Sequence, residues 1–220
     1  FYVWEKSETD ALLGGRAAAF EAYYDITAKG NWEGKNIPRI KDPSMPLPDD
    51  IDRECREKLL KAREQRVRPR LDDKILLGWN ALMITACCKT FAALGLEEYR
   101  QIAIRTMSFL EEKFGGTGIF HFYHAYKDGK ATIPGFLDDY AFLIESYIQL
   151  QEITGNAAYL EKAGTLTHWV IDHFSEEETG YFFYTHAGQD DVIVRKKELY
   201  DGAVPSGNSV MATNMLYRSS

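Results

Sequence analysis

Apolar residues recur along this chain in two registers. From Leu76 to Leu94 nearly every position is apolar, with Leu76, Leu77, Trp79, Leu82, Met83, Ile84, Cys87, Phe91 and Leu94 setting the tone, the pattern of a helix buried on all sides. From Glu97 to Phe114 the apolar residues Tyr99, Ile102, Ala103, Met107, Leu110 and Phe114 recur at helical spacing. Arg100, Gln101, Arg105, Ser108, Glu111 and Glu112 fill the opposite face, which predicts a helix with one side in water. The first kind is an inner helix and the second an outer one. The order then repeats, with an inner helix over Asp139 to Ile153, an outer helix over Ala157 to Phe174, and a third inner helix from near Ser206. Ahead of them, Asp49 to Arg66 is mostly charged with a narrow Ile51, Cys55, Leu59, Ala62 stripe, which predicts one more outer helix.

Short acidic leaders accompany the inner helices. Leu71-Asp72-Asp73 precedes the first, Leu137-Asp138-Asp139 the second 66 residues later, and Tyr200-Asp201-Gly202 the third, 63 residues after Asp138. A period of about 65 exceeds a bare helical hairpin. The surplus falls in the outer-to-inner connections. Residues 119 to 131 carry aromatic strand material, including Phe120, around the turn Lys127-Asp128-Gly129-Lys130, and 181 to 194 predicts a second hairpin turning at Ala187-Gly188-Gln189-Asp190. Each repeat is then inner helix, outer helix, β-hairpin. Inner helices ringed by antiparallel outer ones make an all-α-dominated, partial (α/α)6 toroid with short β-hairpins between helical hairpins. Its topology puts every inner-helix N-terminus on one rim. About three of the six units that close such a ring are visible, so the 220 residues read as one incomplete toroid domain.

Composition narrows the function classes. Hydrophobic residues make up 45% and aromatics 13%, which excludes a disordered chain, and a net charge of −7 argues against nucleic acid as a partner. Asn, Lys and Thr interrupt the apolar stretches before the roughly 20 residues of a membrane helix, so no membrane partner is expected. Cys55, Cys87 and Cys88 form no C-x-x-C pair and read as reduced, packed thiols of a cytoplasmic protein. The chain opens on Phe1-Tyr2-Val3-Trp4 as if already inside a domain, and is read as a piece of something longer.

The rim collects the candidate chemistry. Asp72, Asp138 and Asp201 are the candidate acid, base or nucleophile groups for a glycosidic bond, which needs a protonated and an ionised carboxyl facing each other across the scissile oxygen. Asp is equally a favoured helix cap, so within each doublet one carboxylate can cap while the other faces the cavity; the partners Asp73 and Asp139 are kept as substrate-binding candidates. Trp79, Tyr140 and Tyr200 offer flat faces for a sugar ring, although rings at such positions also serve as core. Asn80 and Asn208 are polar positioners, Asn80 needing a partner inside an apolar helix. Ser206, in Pro205-Ser206-Gly207-Asn208-Ser209, is either a cap or a substrate contact. The basic run Arg63, Arg66, Arg68, Arg70 reads as solvated or Asp-paired. Histidine spacing gives no metal site, and nothing points to a cofactor. His121, His124 and His186 do fall in the rim hairpins, where a His pair could move the proton beside a sugar carbonyl, as an epimerase or isomerase would.

Four motifs then resemble one family. Arg68-Pro69-Arg70-Leu71-Asp72-Asp73-Lys74, Trp79-Asn80, Gly135-Phe136-Leu137-Asp138-Asp139-Tyr140-Ala141-Phe142 and Asp201-Gly202-Ala203-Val204-Pro205-Ser206-Gly207-Asn208-Ser209 resemble the spermatogenesis-associated protein 20 family, as do Gly30-Asn31-Trp32-Glu33-Gly34-Lys35-Asn36 and the opening residues. The resemblance covers essentially the whole chain. It implies a six-hairpin, glycosidase-like toroid preceded in the parent protein by a thioredoxin-like domain, of which this chain would be the first toroid part. That domain is then an implied partner, beside a small carbohydrate. The implied toroid is similar to those of N-acylglucosamine 2-epimerases, which rely on His, and unsaturated glucuronyl hydrolases, which rely on Asp. Ala81 stands where the family often has Gly. The alternatives left open are a carbohydrate-binding or carbohydrate-hydrolysing toroid, a sugar epimerase, and a non-catalytic scaffold.

Overall fold

In the computed structural model, which describes residues 1–116, 121–189 and 192–219, the chain divides at Asp72 into two units, each with a core of its own. In the first, Phe1–Asp72, helices α1 (Lys6–Leu13), α2 (Ala17–Tyr23) and α3 (Asp49–Glu64) close over Trp4, Leu13, Phe20, Ile26, Cys55 and Leu59. The predicted stripe of α3 holds, since Cys55 and Leu59 are buried and Ile51 and Ala62 pack beside them. The Asp-rich first turn and the Lys61 and Arg63 of the last turn match the helix dipole at both ends. Two short helices before Tyr24 lie in sequence too brief to show a period.

The second unit, Asp73–Ser220, holds strand β1 (Ile75–Leu76), helix α4 (Leu77–Leu94), helix α5 (Glu97–Phe114), strands β2 (Tyr123–Lys127) and β3 (Lys130–Pro134), helix α6 (Leu137–Thr154), helix α7 (Ala157–Phe174) and helix α8 (Gly207–Ser219). Helix α6 packs between α4 and α8, while α5 backs α4 and α7 backs α6. The inner and outer ranks are therefore those the patterning predicts, and the architecture is a partial α/α toroid dominated by helix. Gly95 and Gly155, both left-handed, end α4 and α6 where only a residue without Cβ sits easily. Asn156 caps α7, its side chain accepting the Ala158 N–H at 3.1 Å.

The coordinates correct the spacing of the repeat and the second hairpin. Leu77 and Leu137, Gly95 and Gly155, Phe114 and Phe174, and the bridge residues Phe122 and Phe182 all stand 60 residues apart, whereas α8 begins at Gly207, 70 residues after Leu137, so the period of about 65 is the mean of two unequal spacings. The paired acidic doublets hid this, because Asp138 and Asp139 lie inside the first turn of α6, whereas Ile75 and Leu76 separate Asp73 from α4 as a strand. Only the first hairpin forms. Asp128 and Gly129, both at positive φ, turn β2 into β3, and β1 adds to β2 with Ile75 opposite Tyr126. Over 181–194 no strand pair exists among the described residues. A single bridge from Ser175 to Phe182 and the Tyr184 N–H to Lys196 carbonyl bond take its place. Phe120 and Asp190 lie outside the described residues.

Helix α6 is buried all round as expected, but α4 leaves Trp79, Met83 and Leu94 exposed. By length and composition α4 could cross a membrane, contrary to the sequence expectation; in this fold its Leu77, Ala81, Ile84 and Cys88 belong to the core. All three cysteines are buried free thiols, and burial pushes Cys88 up to about 12, which keeps it an inert core residue.

Candidate functional site

Three helix N-termini meet at the first turn of α6, and the Asp138-Asp139 doublet joins them. Asp139 is 3% exposed. Its Oδ1 accepts the Gly78 N–H of α4 at 2.9 Å, and its Oδ2 accepts the Phe136 N–H at 3.0 Å and contacts His124 Nδ1 at 2.8 Å. One carboxylate thus satisfies free N–H groups at the start of both inner helices. Facing the other way, Asp138 Oδ1 accepts the Gly207 N–H at 2.7 Å, the first residue of α8. The N-termini of α4, α6 and α8 are side by side because one acidic pair binds both neighbours.

Glycine is required on each side. A Cβ on Gly78 would stand 2.9 Å from Asp139 Oδ1, and one on Gly207 would stand 2.5 Å from Asp138 Oδ1 and 2.8 Å from Leu137. The close approach that makes these bonds leaves no room for a side chain.

Asp201 joins Asp138 at α8. Its Oδ1 accepts the Ser206 N–H at 2.9 Å and the Ser209 hydroxyl at 3.0 Å. The two carboxyls therefore hold consecutive backbone N–H groups, Ser206 and Gly207, which limits their acceptor oxygens to a separation of no more than about 9 Å. Their environments pull them apart. Burial, opposed by the Gly207 bond and reinforced by the charges of Glu198 and Asp139, pushes Asp138 up to about 6. The Ser206 N–H and the Ser209 hydroxyl hold Asp201 below the ordinary carboxylate value. Asp138 keeps Oδ2 without a hydrogen-bond partner among the described residues.

The remaining candidates sort by exposure and partners. Tyr140 is 1% exposed, its hydroxyl accepting the Phe122 N–H at 3.0 Å, so it is a core residue and not a stacking surface. Asn208 is buried too; its Oδ1 accepts the Phe182 N–H at 2.9 Å and its amide donates to the Phe182 and Glu198 carbonyls at 3.0 Å each. That places Asn208 as the fastener of the connection ahead of α8, with both amide N–H groups already used. The Asn80 amide donates to the Leu76 carbonyl at 2.8 Å, so its partner is its own helix, neither a rim Asp nor a ligand. Ser206 is buried and caps α8, its hydroxyl accepting the Ser209 N–H at 3.2 Å. Asp73 is ion-paired with Lys127, which lowers its pKa. Asp72, the last residue of the first unit, is exposed and takes no place at an inner-helix start, since α4 begins at Leu77. Trp79 and Tyr200, 68% and 92% exposed, are the candidate rings open to a ligand.

Two groups gain weight. His124, on β2, is oriented by Asp139, and that hydrogen bond raises its pKa against the opposing effect of burial. His186 instead packs its ring against Trp169 and Phe174 at 6.3 and 6.1 Å. Glu198 was not singled out by sequence; it lies close enough for its charge to raise Asp138. No signal in Lys197-Glu198-Leu199 marks it, because its placement comes from the Asn208 bond to its carbonyl.

The fold is a partial helical-hairpin (α/α) toroid. A glycoside hydrolase of family 105 from C. acetobutylicum superposes with a TM-score of 0.52, 12% identical over 74% of this chain and 51% of that one, a likeness of fold. The chain is a homologue of spermatogenesis-associated protein 20: the mouse protein is 33% identical over 73% of this chain and 21% of its own length. An uncharacterised protein of Caenorhabditis elegans is 30% identical over 98% of this chain and 34% of its own length. The chain thus spans between a fifth and about a third of these relatives. No family model matches it.

Proposed function

We propose that the second unit is a carbohydrate site in which Asp138 and Asp201 are the working carboxyls. The observation that carries this is their opposed electrostatics at adjoining N–H groups of α8: one carboxyl raised to about 6 by burial, the other held ionised. Two carboxyls with pKa values driven apart are what separates an acid from a base on one sugar. In hydrolysis Asp138, protonated, gives its proton to the glycosidic oxygen as the C–O bond breaks. Asp201, ionised, either takes a proton from the attacking water or attacks the anomeric carbon itself, to be displaced by water afterwards. The ceiling of about 9 Å between their acceptor oxygens leaves room for either of the two hydrolytic geometries. Tyr200, next to Asp201 and exposed, supplies a flat face for the ring.

Titration of the protein with a panel of mono- and disaccharides, followed by calorimetry, tests the proposal. The expected result is saturable heat with at least one sugar and a loss of about tenfold or more in affinity in Asp138→Asn, which keeps the Gly207 acceptor but cannot change charge. Silence across the panel contradicts it.

Two other readings each have one observation in their favour. His124 held by Asp139 at 2.8 Å is an oriented acid/base suited to an epimerase, in which case His124→Gln abolishes sugar turnover while Asp201→Asn leaves it. The capping work of Asp139, Asp138 and Asp201 favours a non-catalytic scaffold whose partner is a thioredoxin-like domain. Binding of such a domain together with silence toward sugars would select that reading.

A further inference from the structure

The first unit carries a groove that the carboxyls of the second do not explain. Its volume is about 590 Å³, within the range of small-molecule sites. The floor is apolar and aromatic: Trp4, Phe20 and Leu59 are buried beneath it, and Tyr24, Pro38 and Leu60 line it. The rim belongs to one face of α3, where Asp52, Arg53, Arg56, Glu57 and Arg63 follow at helical spacing.

Charge accounting on that rim is uneven. Asp52 is consumed, one oxygen taking the Tyr24 hydroxyl at 2.9 Å and the other Arg56 at 3.2 Å. Arg56 is neutralised by the same contact. Arg53 has no carboxylate partner among the described residues, and Arg63 rests over the Phe1 and Tyr2 rings at 5.7 and 5.8 Å instead of on an anion. Against these two cations stands Glu57 alone. In a chain of net charge −7 this is a local positive excess over an aromatic floor.

We infer that the groove binds a small amphipathic anion, a flat aromatic body ending in a carboxylate or sulfonate. The body would lie over Trp4 and Phe20 against Tyr24, where burial of ring surface is favourable. The anionic group would sit at Arg53, whose guanidinium fork suits such an oxyanion, with Arg63 about 15 Å further along the helix adding to the positive rim.

The test uses 1-anilinonaphthalene-8-sulfonate and its uncharged counterpart N-phenyl-1-naphthylamine, both followed by fluorescence on the full chain. The sulfonate is expected to bind one site, about tenfold more tightly than the neutral amine. Arg53→Gln should raise the sulfonate Kd about fivefold and Arg53→Lys by less, with the amine unaffected. Arg53 is exposed and makes no ion pair among the described residues, so its replacement tests charge without threatening the fold. Leu60→Glu, placing a negative charge inside the groove, should abolish sulfonate binding while far-UV circular dichroism stays unchanged. Equal affinity for the two probes, or a sulfonate Kd untouched by both Arg53→Gln and Leu60→Glu, overturns the inference. Neither probe nor variant involves Asp138 or Asp201, so this result and that of the sugar panel are read separately.

Discussion

Asp138 is kept in the fold at an energetic disadvantage, since burial disfavours its charged form. A carboxyl whose pKa rises on folding holds its proton more firmly in the folded state. It favours folding below the ordinary value of 3.8 and turns against folding as pH climbs through about 6. Asp138→Asn keeps the Gly207 bond and removes that penalty. Its unfolding free energy should exceed the wild type's at about pH 7.5 by roughly 1 kcal/mol after allowance for partial exposure, read as a higher melting temperature, and the gap should close near pH 4. His124 has the other usual sign for a raised group: its bond to Asp139 stabilises fully below 6.5 and fades as pH passes the raised value. Denaturant melts of His124→Gln should therefore show a larger deficit at about pH 5.5 than at about pH 8.5. Removing Asp139 in Asp139→Ala strands one buried and two part-buried donors at once and should cost about 3 kcal/mol at neutral pH, read as a shift in the urea midpoint. Sequence alone could name the doublet as half cap, half chemistry. Which oxygen met which helix depended on contacts 61 and 69 residues away, and those no local pattern carries.

Among the elements, the long helices were legible and the short connections were not. Over α5 and α7 the apolar stripe and its bounds agree with the sequence reading because an outer helix in water must separate its faces. Tyr140 was misjudged for the complementary reason: an inner helix buried all round offers no polar face to say which ring points where. The failed hairpin at 181–194 had its strand residues, but Phe182 and Tyr184 spend their backbone groups on Asn208, Leu137 and Lys196. The 60-residue spacing of the first two units is written in Gly95 and Gly155, masked by an acidic doublet that repeats in letters and not in place. Glycine at the helix junctions makes a test of its own. Gly78→Ala and Gly207→Ala should each destabilise by about 2 kcal/mol, since the added Cβ meets an Asp oxygen, whereas alanine at the solvent-facing Gly188 should be nearly neutral.

At the scale of the molecule, two cores divide the work. The stretch between them, residues 65–74, is without helix apart from a final turn, and Val67 and Leu71 are exposed. Brief trypsin digestion should cut first after Arg70, where Leu71 follows, and release the second unit as a folded fragment. The first unit's groove and the second unit's rim can then be assayed independently. The claim on which the carbohydrate proposal stands is that one rim carboxyl takes up its proton at a clearly higher pH than its neighbour. Carbon-13 detected titration of the aspartate carboxyls answers it: Asp138 should turn over near pH 6 and Asp201 below 3.8. If both titrate together at the ordinary value, no acid faces a base at the head of α8, and the account fails.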